Sequence, residues 1–110
     1  MFKSIGLLLL GVITLTGCSG SISDEALANL PPPEAGKKVF EAKCKGCHTI
    51  NGAGGVRGPN LSNVGGRMDE PTLRAFIKDP QAVRPGARMP QISLTDKQLD
   101  AAAAYLAGLK

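Results

Sequence analysis

The stretch Cys44-Lys45-Gly46-Cys47-His48 decides what this 110-residue chain can bind and how it folds. If the stretch is a helical turn, Cys44, Cys47 and His48 project from one face, because residues three and four apart are neighbours on a helix. Each thiol can then form a thioether with one vinyl group of a porphyrin, while the imidazole binds the iron. C-x-x-C-H is typical of covalent haem attachment, so we predict one haem c bound through Cys44 and Cys47 with His48 as an iron ligand.

Two other uses of a C-x-x-C motif fit the rest of the sequence poorly. A thioredoxin-like dithiol is expected beside a βαβ unit, and no run of β-branched residues predicts a strand. A closed zinc site needs four ligands, yet His48 is the only histidine and the third cysteine, Cys18, lies in a different motif. Only a carboxylate could complete such a site, so haem attachment is the stronger interpretation.

The amino-terminal residues have the pattern of an export signal. Lys3 is followed by the almost wholly apolar residues 5–15 and then by Leu15-Thr16-Gly17-Cys18. The apolar run is too short to span a bilayer. Its ending resembles a bacterial lipobox, which implies a signal peptide over 1–17 and lipidation of Cys18; the alternative is an ordinary secretory signal beside a stray cysteine. We expect a protein anchored by its acyl chains to a bacterial membrane, facing the periplasm or the cell exterior.

Removal of the signal peptide leaves 93 of the 110 residues, enough for one small domain. Residues 18–33 are rich in Ser, Gly and Pro and predict a flexible tether, which a short helix near residues 24–30 would shorten. The domain itself is expected over 34–110. With no Trp and one Tyr it has few large apolar side chains, so a haem and two thioethers would add both bulk and crosslinks.

Three helices are predicted in the domain. The first begins near Glu34 and runs into the haem motif. The second has Asp69 as its N-cap. The third follows Thr95, which can form a capping box with Gln98. Long loops in so small a domain indicate that they enclose a ligand; rich in Gly and Pro, these loops cover residues 51–66 and 80–93.

Four further motifs follow the attachment motif in order: Gly58-Pro59-Asn60-Leu61, Gly66-Arg67, Pro85-Gly86-Ala87-Arg88-Met89-Pro90 and Leu94-Thr95-Asp96-Lys97-Gln98-Leu99. With these motifs, the chain resembles the class I cytochromes c from about Glu34 to Lys110. The resemblance implies a small all-α fold of three to four helices wrapped around one covalently attached haem. It also implies that the first and last helices cross closely at Gly36, where Phe40 and Tyr105 interlock.

The resemblance further implies roles for single residues. His48 is the proximal iron ligand, and the Pro59 carbonyl accepts a hydrogen bond from its other ring nitrogen. Met89 is the second axial ligand, with Met68 or an open, water-bound position as alternatives. Arg67 either binds a haem propionate or is a solvated surface residue.

The mature chain is basic, since loss of Lys3 leaves 12 Lys and Arg against 9 Asp and Glu. If the basic residues surround the exposed haem edge, they would attract an acidic redox partner; scattered solubilising charge is the alternative. Nucleic acid is not an expected partner, because few aromatic side chains are available for stacking. The basic residues near the motif and on the flanking loops are Lys37, Lys38, Lys43, Lys45, Arg57, Arg84 and Arg88.

These inferences together predict a monomeric, membrane-anchored carrier of single electrons with a His/Met-ligated iron, and not an enzyme. One alternative is a haem-based ligand sensor or small peroxidase, although no distal histidine or other general base is evident. Another is the electron-entry subunit of a larger membrane oxidoreductase.

Overall fold

The computed structural model describes residues 22–110, so the predicted signal peptide, Cys18 and the first residues of the predicted tether lie outside it. The all-α prediction is confirmed, and within the described residues no helix is both long and apolar enough to cross a bilayer. The elements in chain order are α1 (Asp24–Leu27), α2 (Pro32–Lys43), β1 (Thr49–Ile50), β2 (Ala53–Gly54), a 3₁₀ turn (Val64–Gly66), α3 (Glu70–Lys78), α4 (Pro80–Val83) and α5 (Asp96–Ala107).

Helices α2 and α5 cross at a glycine. A Cβ on Gly36 would overlap the Ala101 carbonyl and the Tyr105 Cβ, so only glycine allows the two backbones to approach this closely. One turn further along α2, the rings of Phe40 and Tyr105 pack with centroids 6.2 Å apart and planes tilted by 56°. Aromatic pairs favour such tilted arrangements. The predicted crossing of the first and last helices of the domain is confirmed.

Helix α3 packs against α5 beside this crossing. Leu73 and Ile77, four residues apart on α3, are buried in the hydrophobic core. At the edge of the same contact, Arg74 pairs with Asp96 at 3.5 Å and with Asp100, both on α5. Helices α2, α3 and α5 therefore support the segments that carry the candidate site.

The helix starts follow the capping residues that the sequence supplies. The Asp69 carboxylate accepts a hydrogen bond from the Thr72 N–H at 2.9 Å, at the start of α3. At α5 the Thr95 hydroxyl accepts from the Gln98 N–H at 3.2 Å, and Gln98 Oε1 accepts from the Thr95 N–H at 3.1 Å, which completes the predicted capping box. Helix α2 begins at Pro32, slightly before its predicted start, because proline fits the first helical turn.

The first long loop contains more regular structure than the sequence predicts. Strands β1 and β2 pair antiparallel as a minimal hairpin. Its two turn residues, Asn51 and Gly52, have positive φ angles of 51° and 82°, which is the conformation for which Asn-Gly is favoured in two-residue hairpin turns. The Asn-Gly pair is the signal that could have predicted this hairpin.

Residues 22–30 pack against the domain, whereas the composition predicts a flexible tether over 18–33. Leu27 of α1 is only 2% exposed and belongs to the hydrophobic core. The Gln98 side-chain amide donates a hydrogen bond to the Ile22 carbonyl at 2.7 Å. The buried leucine and this hydrogen bond both oppose the entropy lost when the segment is ordered, and composition does not reveal such tertiary contacts. The packed unit thus begins at or before Ile22.

Candidate haem site

The attachment segment continues α2 as a helical turn. The N–H groups of Cys44 and Lys45 both donate to the Phe40 carbonyl, at 2.8 and 2.9 Å. The N–H groups of Cys47 and His48 both donate to the Cys44 carbonyl at 3.1 Å. Cys44, Cys47 and His48 therefore lie at positions i, i+3 and i+4 of one turn. This is the spacing that covalent attachment of a porphyrin requires.

The two cysteines of this turn differ in environment. Cys44 is buried, with 7% of its surface exposed, while Cys47 is exposed. Burial raises the pKa of the Cys44 thiol to about 11, and the neighbouring Cys47 contributes to the rise. Before haem is attached, Cys44 is therefore a neutral thiol near pH 7. A thioether suits this buried position, because it carries no ionisable proton.

The orientation of the His48 ring is set by a backbone carbonyl. His48 is buried, and its Nδ1 lies 2.8 Å from the Pro59 carbonyl oxygen. A carbonyl can only accept, so Nδ1 carries the proton and donates it. The lone pair is consequently on Nε2, where it is available to a metal ion, and the hydrogen bond is of the kind that orients metal-binding histidines. These residues fit an iron-bound haem.

Gly58 lies directly against the His48 ring, a role that the sequence did not reveal. A Cβ at position 58 would overlap the imidazole atoms. The Gly58 N–H donates to the Cys47 carbonyl at 2.7 Å. The absence of a side chain at Gly58 therefore lets the next residue, Pro59, bring its carbonyl within hydrogen-bonding distance of Nδ1. The Gly-Pro pair is part of the family resemblance, but its steric role depends on the tertiary contact.

Two further glycines bring the hairpin against the attachment turn. A Cβ on Gly54 would overlap the His48 carbonyl oxygen, and one on Gly55 would overlap the Gly46 carbonyl oxygen. The Gly55 N–H also donates to the Lys45 carbonyl at 2.9 Å. The sequence predicts that the loop over residues 51–66, which contains this stretch, encloses a ligand. In the structure the close contacts of this stretch are with the backbone of the attachment turn.

Hydrogen bonds on the far side of Pro59 hold its loop to the hairpin. The Leu61 N–H donates to the Thr49 carbonyl at 2.8 Å. The Ser62 hydroxyl donates to Asn60 Oδ1 at 2.6 Å and accepts from the Asn51 N–H at 2.7 Å. The carbonyl that orients His48 is thus held from both sides along the chain. Sequence patterns alone do not identify Ser62 and Asn51 as site residues, because neither belongs to a recognisable binding motif.

The remaining predicted site residues lie outside this turn. Met68 packs against the hydrophobic core. Met89 lies in the segment between α4 and α5 and is partly buried, but it is not among the described side chains that pack against the core. Arg67 is exposed, and its guanidinium donates to the Asn60 carbonyl at 3.3 Å. Arg67 therefore contacts the loop that follows Pro59.

The surface near the attachment turn is basic and contains an exposed apolar residue. Lys45 lies within the turn and is exposed. Val56, between the hairpin and Gly58, is 90% exposed, and its neighbour Arg57 is also exposed. Seven basic residues are predicted to attract an acidic redox partner, and of these only Lys43 is partly buried. The six exposed residues are Lys37, Lys38, Lys45, Arg57, Arg84 and Arg88.

Comparison with known proteins agrees with this geometry. Residues 33–110 match the model of the cytochrome c family. The chain belongs to that family, and it is a class I, monohaem c-type cytochrome with one haem c attached through Cys44 and Cys47. The family relationship supports a role as an electron carrier.

The similar proteins include both free cytochromes and subunits of larger enzymes. The chain is 34% identical over 106 residues to cytochrome c oxidase subunit 2 of Alkalihalophilus pseudofirmus, covering 86% of this chain and 30% of that protein. It is 38% identical over 78 residues to a nitric oxide reductase subunit of Stutzerimonas stutzeri, covering 64% and 53%. It is 33% identical over 85 residues to cytochrome c of Ulva intestinalis, covering 56% and 77%. The chain thus spans less than a third of the oxidase subunit and about half of the reductase subunit.

Proposed function

We propose that this protein is a lipid-anchored cytochrome c that transfers single electrons between redox proteins at a bacterial membrane, on the periplasmic or outer side. The observation that carries the proposal is a buried histidine on the same helical turn as two cysteines. The Nδ1–H group of this histidine, His48, donates a hydrogen bond to the Pro59 carbonyl. When bound, haem c supplies a one-electron iron couple. The chain itself holds and orients the group and limits access to it.

His48 would bind the haem iron through Nε2, the ring nitrogen that is not hydrogen-bonded to Pro59. The Pro59 carbonyl increases the basicity of the imidazole and prevents its rotation. Gly58 and the hydrogen bonds around Pro59 keep that carbonyl in place in both redox states. Little of the protein then needs to move when an electron arrives or leaves.

Met89 would be the second protein ligand of the iron. The packing of Met68 against the core favours this assignment, because it gives Met68 a structural role that Met89 does not share. A thioether ligand raises the reduction potential relative to a second histidine. Bound to the iron, the thioether would also exclude oxygen, carbon monoxide and peroxide, which favours a carrier over a sensor or peroxidase.

Anchoring and partner binding are assigned to other parts of the chain. Cleavage after residue 17 and lipidation of Cys18 would attach the protein to the membrane through several acyl chains.

Arg67 is the proposed partner of a haem propionate. The exposed basic residues near the attachment turn would steer an acidic redox partner, so association should weaken as salt rises. We propose that the carrier itself is monomeric.

Visible spectra of the holoprotein test the ligand assignment. We expect covalent haem, a ferric sulfur-to-iron charge-transfer band and no carbon monoxide binding by the reduced wild type. Met89→Ala should lose the band and bind carbon monoxide, while the matched control Met68→Leu should behave as wild type. Carbon monoxide binding by the wild type would instead favour a sensor or peroxidase.

A second function is favoured by the names of two relatives, which are subunits of an oxidase and of a reductase. In that case the protein would be the electron-entry subunit of a larger membrane oxidoreductase. Purification of the native protein in mild detergent distinguishes the two. A partner retained at fixed stoichiometry through gel filtration indicates a subunit, and a lone protein indicates a mobile carrier.

A further inference from the structure

The segment Ile22–Leu30 is attached to the hydrophobic core by apolar contacts. Leu27 is almost fully buried, and its relative exposure of 2% is among the lowest in the core. Ile22 and Leu30, at the two ends of the segment, are partly buried and pack against the same core. This segment therefore presents three apolar side chains to the domain.

The capping residues of α5 also bind this segment. Gln98 is buried and uses both ends of its amide: Oε1 accepts from the Thr95 N–H at 3.1 Å, while Nε2 donates to the Ile22 carbonyl at 2.7 Å. The Thr95 hydroxyl likewise accepts from the Gln98 N–H and donates to Asp24 Oδ1 at 2.6 Å. The cap of α5 and the docking of the segment thus depend on the same two side chains.

A relative with a longer chain matches this segment too. The match to the oxidase subunit extends over 86% of the present chain, and any stretch that long includes residues 22–32, which precede the family domain. The resemblance to that protein therefore extends beyond the haem-binding domain itself.

We propose that Ile22–Leu30 is a clasp that fixes which end of the domain lies next to the membrane. The proposal rests on the lipidation of Cys18 proposed above. With the clasp docked, the four steps from Cys18 to Ile22 span at most about 14 Å, whereas a free tether over 18–33 could span roughly 50 Å. The N-terminal end of α5 is then held close to the lipid surface. Electron exchange is consequently restricted to partners that bring their redox centre near the membrane.

One pair of variants opens the clasp while leaving the cap of α5. Gln98→Glu keeps an oxygen that accepts from the Thr95 N–H, but it has no donor for the Ile22 carbonyl. Leu27→Ala removes the buried apolar side chain of the segment and changes no residue of α5. Lys97→Met, at an exposed neighbouring position, is the control that changes the net charge by the same amount as Gln98→Glu.

The first measurement is hydrogen exchange in the reduced, soluble Cys18→Ser holoprotein, which does not depend on lipidation. The amides to follow are those of Ala28 and Leu30, which donate to carbonyls within the segment. We expect both clasp variants to lower their protection by at least about tenfold, with the amides of the second half of α5 unchanged. Unprotected amides in the parent protein, or equal protection in all variants, would overturn the clasp.

The second measurement uses the lipidated holoprotein on phosphatidylethanolamine and phosphatidylglycerol vesicles that contain a headgroup fluorophore. Quenching by the haem reports its height, and it should be strongest in wild type and Lys97→Met and weaker in both clasp variants. Equal quenching in all four proteins would overturn the orientation. The mass of the protein and its flotation with vesicles show separately whether Cys18 is lipidated. If Cys18 carries no lipid, the proposed anchor and the proposed membrane orientation are both wrong. The hydrogen-exchange data would still decide whether the clasp exists.

Discussion

The two sides of this cytochrome are held together differently. On one side, α2, α3 and α5 bury apolar side chains against each other, and the starts of α3 and α5 are capped by side chains close in sequence. On the other, the segments between residues 44 and 62 are held by backbone hydrogen bonds and by glycines that lie against neighbouring atoms. Side-chain burial supports the helices, whereas close backbone approach builds the histidine site. Substitutions on the two sides should therefore have different consequences.

The largest effect is expected where the helical side itself depends on a glycine. Gly36→Val places a branched side chain against the Ala101 carbonyl and Tyr105, so the crossing of α2 and α5 must open. We expect the unfolding free energy of the holoprotein to fall by about 3 kcal/mol or more, measured by guanidinium titration. Gly66→Ala is the control, because a Cβ there would meet no atom within 4 Å. A Gly36→Val protein as stable as this control would contradict the described crossing.

On the site side, Gly58→Ala should change the haem as well as the stability. The added methyl group displaces the Pro59 loop from the ring and weakens the hydrogen bond to His48 Nδ1. We expect a loss of about 1–3 kcal/mol in stability. The reduction potential should rise, because a less basic imidazole stabilises ferric iron less. Potentiometric titration measures the shift, and Gly46→Ala, with open space around its Cβ, should show none. An unchanged reduction potential in Gly58→Ala would show that the position of the Pro59 loop does not affect the reduction potential of the haem.

A smaller effect is expected at the edge of the same site. Ser62→Ala removes the acceptor for the Asn51 N–H and the donor to Asn60, and both hydrogen bonds are exposed to water. We expect a stability loss of about 1 kcal/mol or less. Exchange of the Asn51 amide, followed by NMR, should quicken in this variant and not in Ser93→Ala, an exposed serine outside the site. Unaltered exchange would show that the hairpin is held by its backbone contacts alone.

The helical side was largely predictable from the sequence because its signals are local. The N-cap at Asp69 and the capping box of Thr95 and Gln98 lie within four residues of the helix starts they determine. The attachment turn was predictable for the same reason. The haem ligands, the anchor and the propionate contact remain predictions, since they rest on motif resemblance.

The features that were missed depend on distant residues. The contact of Gly58 with the imidazole appears only when the loop is folded back on the attachment turn. The docking of residues 22–30 joins Ile22 to Gln98 across 76 positions of sequence. Composition indicated a tether, because Ser, Gly and Pro describe local flexibility but not a single well-buried leucine. Short-range patterns therefore specified the helices better than the contacts made between them.

The smallest predicted effect tests a local signal on the helical side through pH. Hydrogen bonds from the Thr72 side chain and backbone hold the pKa of Asp69 below its usual range. The folded state thus binds this proton less readily than the unfolded chain, so the contribution of Asp69 is present above its unfolded pKa, near 4, and is lost as pH falls through the lower folded value. Asp69→Asn keeps a good N-cap but does not titrate. Thermal unfolding between pH 7 and pH 2 should therefore show the stability of wild type falling relative to that of Asp69→Asn only at the acidic end. A constant difference across the range would mean that Asp69 caps α3 by hydrogen bonding alone, without a contribution from its charge.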